Sequence, residues 1–236
     1  MPVTGRLYGE GGPPLGWSER SPLFRARLRT WALRYASHGW AVVPGAWLSD
    51  GRFDCGRPGC LTIGCHPASD RWDQEATAEP KRVAAWWRRH PRAVLLATGR
   101  SFDVLDVPAY LGVRVLGAAR GRARWGDSRP TSLRGPVAVT PSGRWLFLVS
   151  PGDPLHPELA QCPDIVRHGP GSWIPAPPTV LPEGPVRWAV TPDETRWRLP
   201  ESWRVQGTLL EFRKPTAAVT RDARLACPVP RLGRAG

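Results

Sequence analysis

Gly99-Arg100-Ser101-Phe102-Asp103-Val104-Leu105-Asp106-Val107-Pro108 reads as a glycine-led loop feeding a short buried strand that ends in an acidic residue. A carboxylate at the end of a buried strand is well placed to hold a divalent metal against a phosphate. On a strand, Asp103 and Asp106 point to opposite faces, because successive side chains alternate and their spacing is odd. They therefore do not form a pair, and Asp106 would have to meet a carboxylate from another strand, with Asp164 the candidate. The position two residues beyond Asp106 is Pro108, which carries no carboxylate. A plainer role for Asp106 is to cap a following helix whose first residue is Pro108.

Working outward, Ser21-Pro22 opens a helix with Ser as N-cap and Pro in the first turn. Leu28, Trp31, Ala32 and Tyr35 recur at helical spacing, and Gly39 is a stop. Trp40–Pro44 follows as a strand. A second helix is predicted from Thr77 to Arg89, capped by Thr77, with Pro80 in its first turn and Pro91 ending it. Strands are predicted over 93–98 and 102–107, and residues 108–120 are read as helical. Residues 120–134 carry Arg120, Arg122, Arg124, Arg129 and Arg134 with little apolar content and read as an exposed loop. Pro136–Thr140 and Trp145–Ser150 form a hairpin around Pro141-Ser142-Gly143-Arg144. A helical turn over 155–162 and strands over 164–167, 172–176 and 186–190 follow. From Thr191 the pattern weakens, with Gly207–Arg213 as an isolated element. Strands mixed with helices in no strict alternation predict an α+β domain with a mixed β-sheet. The expected organisation is a flexible N-terminus over 1–20, a domain over 21–190 with a Cys-rich loop at 50–70, and a partly disordered extension over 191–236.

The formal net charge of +13 is carried almost entirely by arginine, since Lys81 and Lys214 are the two lysines. Guanidinium forks match phosphate oxygens and displace counterions, so the balance favours a phosphate-bearing partner, a nucleic acid or a nucleotide. Arg-rich, Lys-poor usage also follows from genomic base composition, and charge does not determine fold. No apolar run of about eighteen residues is present to span a membrane. The opening residues carry no apolar stretch of signal-peptide type, and the expected location is the cytoplasm.

The five cysteines are an odd number, which argues against a disulfide framework. Cys55, Cys60, Cys65 and His66 lie within twelve residues. Soft sulfur and nitrogen donors in a short loop suit a structural tetrahedral zinc, held by Cys55, Cys60 and one or both of Cys65 and His66. The alternative is a loop of free thiols. In the hairpin, Ser142, Gly143 and Arg144 can hold a phosphate by backbone N–H groups and a guanidinium together. A tight turn needs the same glycine for backbone reasons alone.

Five segments, taken in order, resemble the N-terminal domain of bifunctional DNA primase/polymerases, a family of the archaeo-eukaryotic primase superfamily. Ala32–Pro44 resembles its opening helix and strand. Cys55-Gly56-Arg57-Pro58-Gly59-Cys60 with Gly64-Cys65-His66-Pro67 resembles its cysteine loop. Ala97–Ser101 leading to Val104-Leu105-Asp106-Val107 resembles its first catalytic strand, and Thr140-Pro141-Ser142-Gly143-Arg144 its hairpin. Asp164 with Ala176-Pro177-Pro178-Thr179 resembles its closing segment. The resemblance implies a mixed sheet with an RRM-like core and flanking helices. It also implies metal-holding acids at Asp106 and Asp164, and nucleotide or DNA contacts from Ser142, Gly143, Arg144, Arg120, Arg122, Arg124 and Arg167. The family's second acid is replaced by Pro108, and its hairpin histidine is missing, with Trp145 and Leu146 at the candidate positions.

Each missing electrostatic group of this type is worth about 100–1,000-fold in rate. The expected protein is thus a primase/polymerase-like domain that binds DNA or nucleotides with weakened or lost nucleotidyl transfer. The alternatives are an active standalone primase/polymerase, using Mg²⁺ or Mn²⁺ at Asp106 and Asp164, and a zinc-stabilised protein-interaction module.

Overall fold

Proline at the first helical position, with its φ already fixed, opens the first helix. The structure is a computed structural model and describes residues 21–49, 51–89, 91–124 and 134–213. The flexible N-terminus expected over 1–20 and the tail from 214 lie outside the described residues. Helix α1 (Pro22–Ser37) forms as predicted, although the Ser21 side chain makes no capping bond. It stops at Gly39, whose φ of 78° is the left-handed value that favours glycine. Strands β1 (Val42–Pro44) and β2 (Trp47–Ser49) precede the span expected as the Cys-rich loop, and β3 (Arg52–Asp54) falls within its start. Two helices follow, α2 (Trp72–Glu75) and α3 (Pro80–Arg89). The predicted cap residue Thr77 lies outside α3, where its hydroxyl accepts from the Glu79 N–H at 3.1 Å.

Strands β4 (Val94–Ala97) and β5 (Asp103–Pro108) flank the Gly99-Arg100-Ser101 loop. A Cβ on Gly99 would lie 2.3 Å from the Pro170 backbone, so glycine is what lets the two chain segments cross there. Helix α4 (Ala109–Arg124) starts directly after β5. This corrects the exposed-loop reading of 120–134: Arg120, Arg122 and Arg124 fall on the last turns of α4, and 125–133 lie outside the described residues. Strands β6 (Val137–Val139) and β7 (Arg144–Val149) make the predicted hairpin. Then come α5 (Pro157–Ala160), β8 (Val166–His168), β9 (Trp173–Pro175), β10 (Val180–Leu181), β11 (Gly184–Pro185), β12 (Arg187–Val190) and α6 (Ser202–Arg213). Gly207–Arg213, read as an isolated element, is the second half of α6.

The main sheet has the order β12-β6-β7-β5-β8, and β1-β4-β9 form a smaller three-stranded sheet. The α+β class is as expected. The mixed sheet is not: every strand pair among the described residues is antiparallel. The reason lies in the order of strands. β5 and β6 do run parallel and are joined across α4, but β7 inserts between them and pairs antiparallel with both.

The side chains of β5 sort by parity. Val104 packs with Leu146, Leu148 and the apolar faces of α1 and α3. Leu105 and Val107 pack on the other face with Leu111 and Val115 of α4, Leu159 of α5, and Val205 and Leu209 of α6. β4 is apolar throughout because both its faces are buried: Val94 and Leu96 join the first cluster, Leu95 and Ala97 a third one beneath the Cys-rich loop.

Candidate functional site

Asp106 lies near the end of β5 on the α1 side of the sheet, on the same face as Val104. Its carboxylate is 16 % exposed and lies between two cationic or ionisable groups. On one side Arg144, the first residue of β7, donates from Nε to Oδ1 at 2.7 Å. On the other, His168 on β8 places Nε2 3.3 Å from Oδ2, while its Nδ1 lies 2.9 Å from the Ser172 hydroxyl. The predicted helix-cap role is therefore not the one this carboxylate plays. Register explains the meeting. Leu146 on β7 and Val166 on β8 stand opposite Asp106, so Arg144 and His168, each two residues from those positions, share its face.

Arg144 also draws Asp164 in. Its Nη2 donates to the main-chain oxygens of Asp106 at 3.1 Å and Asp164 at 2.7 Å. The Asp164 carboxylate accepts from Tyr110, an exposed residue of α4 whose hydroxyl donates to it at 3.2 Å. Asp106 and Asp164 are thus gathered by one arginine, without a shared cation between their carboxylates.

The other predicted contacts fall differently. The Gly143 N–H donates to the Thr140 carbonyl at 3.0 Å, and the Arg144 N–H to the Thr140 hydroxyl at 3.1 Å. Ser142 lies 2.9 Å from the same hydroxyl. The turn therefore satisfies those two N–H groups internally, and Arg144 acts through its side chain. Arg167 does not join the site. Its place opposite Leu105 turns it to the other face, where its Nη2 bonds the buried Asp103 at 2.7 Å. His168 and Tyr110 were missed from sequence. The signal for His168 was present only as parity: next to Arg167 on one strand, it must face the opposite way.

A divalent ion does not fit at Asp106. Its carboxylate is engaged by Arg144 and His168, and Pro108 offers no oxygen donor from its side chain. Among the described residues, no group of three acidic, histidine or cysteine side chains other than one in the Cys-rich loop comes together to hold a metal. That loop does fit a metal. The ligand atoms of Cys55, Cys60 and His66 lie within 4.8 Å of one another. His66 Nδ1 is 2.7 Å from the Gly64 carbonyl, which directs Nε2 toward the Cys60 sulfur at 3.5 Å, an arrangement common for metal-binding imidazoles. Backbone bonds from Ala46 to His66 and from Ala68 to Pro44 fix the loop against β1. Burial would raise the Cys55 thiol, but hydrogen bonds from Arg57 and His66 outweigh it and bring the pKa down to about 6. Cys65 is not part of the group, and burial pushes its thiol up to about 12, which suits a neutral, packed side chain. Of the adjacent pair Cys65 and His66, it is the histidine that turns toward the two sulfurs.

No helix among the described residues is long and apolar enough to cross a membrane. No curated protein and no solved structure matches the chain. A family model described as bifunctional DNA primase/polymerase, N-terminal, matches residues 32–202, a span that runs from within α1 through the Cys-rich loop, β5, the hairpin and β8 to the start of α6. The chain belongs to the bifunctional DNA primase/polymerase N-terminal family.

Proposed function

We propose that this chain is a primase/polymerase-like domain that binds DNA or nucleotides and has weakened or lost nucleotidyl transfer. The observation that carries this reading is the guanidinium of Arg144 on Asp106, where a polymerase would need a divalent ion. Two-metal phosphoryl transfer relies on several carboxylates to hold both ions and balance the charge of the triphosphate. Here one acid is engaged by an arginine and a histidine, the position two residues on is Pro108, and Asp164 turns its carboxylate to Tyr110. Arg144 and His168, both on Asp106, are the groups of this site that would turn a donor to a phosphate. Arg120, Arg122 and Arg124 near the end of α4 add positive charge for the nucleic-acid backbone. The Cys55, Cys60 and His66 group would hold a structural zinc that fixes its loop to the smaller sheet, and nothing in the loop requires the zinc to take part in chemistry.

Incorporation of labelled nucleotides on primed and unprimed templates, with Mg²⁺ and then Mn²⁺, tests the loss of transfer. The expected result is no product, or product lower by about 100-fold or more than an intact site would give. Template-dependent synthesis that disappears with Asp106→Ala would establish the active enzyme instead. Binding to single-stranded DNA should weaken steeply as salt rises. Affinity that does not respond to salt would leave a zinc-stabilised protein-interaction module as the better reading.

A further inference from the structure

Arg196 and Trp197 hold φ values of 53° and 59°, left-handed backbone at two consecutive residues that are not glycine. Such conformations are held in place by their surroundings and cluster at functional sites. Here a turn over 192–198 holds them, with Arg196 N–H on the Asp193 carbonyl and Trp197 N–H on the Pro192 carbonyl. The result sets the Trp197 ring flat against His38 at the end of α1, with centroids 3.6 Å apart and planes 6° from parallel. Tyr35 and Trp40 meet Trp197 edge-on from the core side. Packing against them accounts for Trp197. It does not account for His38, which is exposed, nor for the two exposed arginines that flank the tryptophan.

The nearby charges divide clearly. Asp193 accepts from Arg34 at 2.5 Å and from the Trp197 indole at 3.1 Å. Glu194 accepts from the hydroxyl and N–H of Thr191. Both acids are thus engaged locally. The side chains of Arg196 and Arg198 enter no ion pair among the described residues. His38 is steadied by its Nδ1, 2.9 Å from the Arg34 carbonyl, and the residue is exposed.

We propose that His38, backed by Trp197 and flanked by Arg196 and Arg198, is a stacking platform for single-stranded DNA. A base would extend the His38–Trp197 stack, and the two guanidinium groups would take the adjoining phosphates, the combination of aromatic plate and positive groove that binds single strands without reading sequence. The platform also has a defined relation to the Asp106 site. The Ser101 hydroxyl bonds the Gly39 carbonyl, next to His38, and Ser101 lies two residues before β5. Asp106 lies five residues on, about 17 Å along an extended chain. The strand would therefore be held at one end of β5 while the nucleotide-binding groups stand near the other.

This inference rests on the DNA-binding reading and specifies where that binding occurs. Its test is the affinity of the full chain for a labelled oligothymidylate, by fluorescence anisotropy across a salt series. His38→Ala should weaken binding by about 10-fold, in line with the loss of one stacked base, and His38→Tyr should restore it. The double variant Arg196→Asn/Arg198→Gln should lower the slope of log affinity against log salt by about 1.4, for two phosphate contacts. Asparagine tolerates the left-handed backbone, so the turn is kept, and unchanged thermal unfolding would confirm it. Wild-type binding with unchanged affinity and slope in these variants overturns the platform and leaves the DNA-binding reading standing. A wild-type chain that does not bind the oligomer even at low salt overturns both.

Discussion

Asp103 and Arg167 show how much one side chain can carry in this fold. Asp103 is fully buried, and its charge is met by the Arg167 guanidinium and the Gly152 N–H. Asp103 Oδ1 and Arg167 Nε are buried without a hydrogen-bond partner, so the pair is incompletely satisfied. Replacing Arg167 with Met would leave a buried carboxylate unpaired, and the expected loss is about 3–5 kcal/mol of unfolding free energy. The double variant Asp103→Leu/Arg167→Met should recover most of it, because both charges then leave the interior together. Urea unfolding of the two variants checks the order, and a double variant less stable than the single one would contradict it. Asp106 calls for a different experiment. If Arg144, and not a metal, balances its charge, then Asp106→Asn frees a guanidinium for phosphate. Titration calorimetry with a nucleoside triphosphate should show binding retained or strengthened, and unaffected by chelator. Loss of binding in that variant would point to a metal-bridged nucleotide. Sequence alone separated Asp103 from Asp106 by parity, but could not name their partners. Those come from strands about 40 and 60 residues away, and their register is set by core packing.

At the scale of elements, α4 illustrates where local preference and tertiary packing part. Of the three glycines in α4, each poor in a helix, Gly112 is buried and Gly117 is exposed. They differ in what surrounds them. A Cβ on Gly112 would lie 2.3 Å from the Trp145 ring, so the glycine lets α4 approach β7 closely. A Cβ on Gly117 would meet nothing within 4 Å. Gly117→Ala should therefore stabilise by up to about 1 kcal/mol, the usual helical gain. Gly112→Ala should destabilise by about 1–3 kcal/mol, since the ring or the helix must shift. Thermal melts of the two variants give opposite signs if the close approach is real. The end of α4 was misread as a loop because Arg-rich sequence has no apolar stripe, and a helix that continues past the sheet needs none. The β6–β7 hairpin, β4 and β5 were legible because strand period, turn glycine and apolar runs all agree over a few residues. The antiparallel order of the main sheet was not, because it depends on β7 folding back between two strands joined by a helix.

Taken whole, the molecule places two kinds of order side by side: an apolar core with well-packed sheets, and a Cys-rich segment from 55 to 71 with neither helix nor strand. The third core cluster joins them: Cys55 and Phe53 share it with Ala93 and with Leu95 and Ala97 of the smaller sheet. This irregular loop is held by that cluster, a few backbone bonds, the Arg57–Asp70 ion pair with Arg57 also donating to the Cys55 and Cys60 sulfurs, and the group of Cys55, Cys60 and His66. The sequence indicated a metal site here and left two candidates for its third ligand. Which of Cys65 and His66 turns inward is fixed by the pairing of the 66–68 backbone with β1 and Ala46, which no spacing rule contains. A bound zinc would stabilise the native state by mass action, by about 2.7 kcal/mol when free metal is a hundred times its dissociation constant. Purified chain should therefore carry close to one equivalent of zinc by elemental analysis, and a strong chelator should lower its unfolding temperature. His66→Ala should lose the zinc and the chelator effect together, whereas Cys65→Ser should keep both, because its thiol lies outside the ligand group. Equal zinc content in His66→Ala and wild type, or zinc lost from Cys65→Ser alone, would show that the loop holds its metal by a different set of donors.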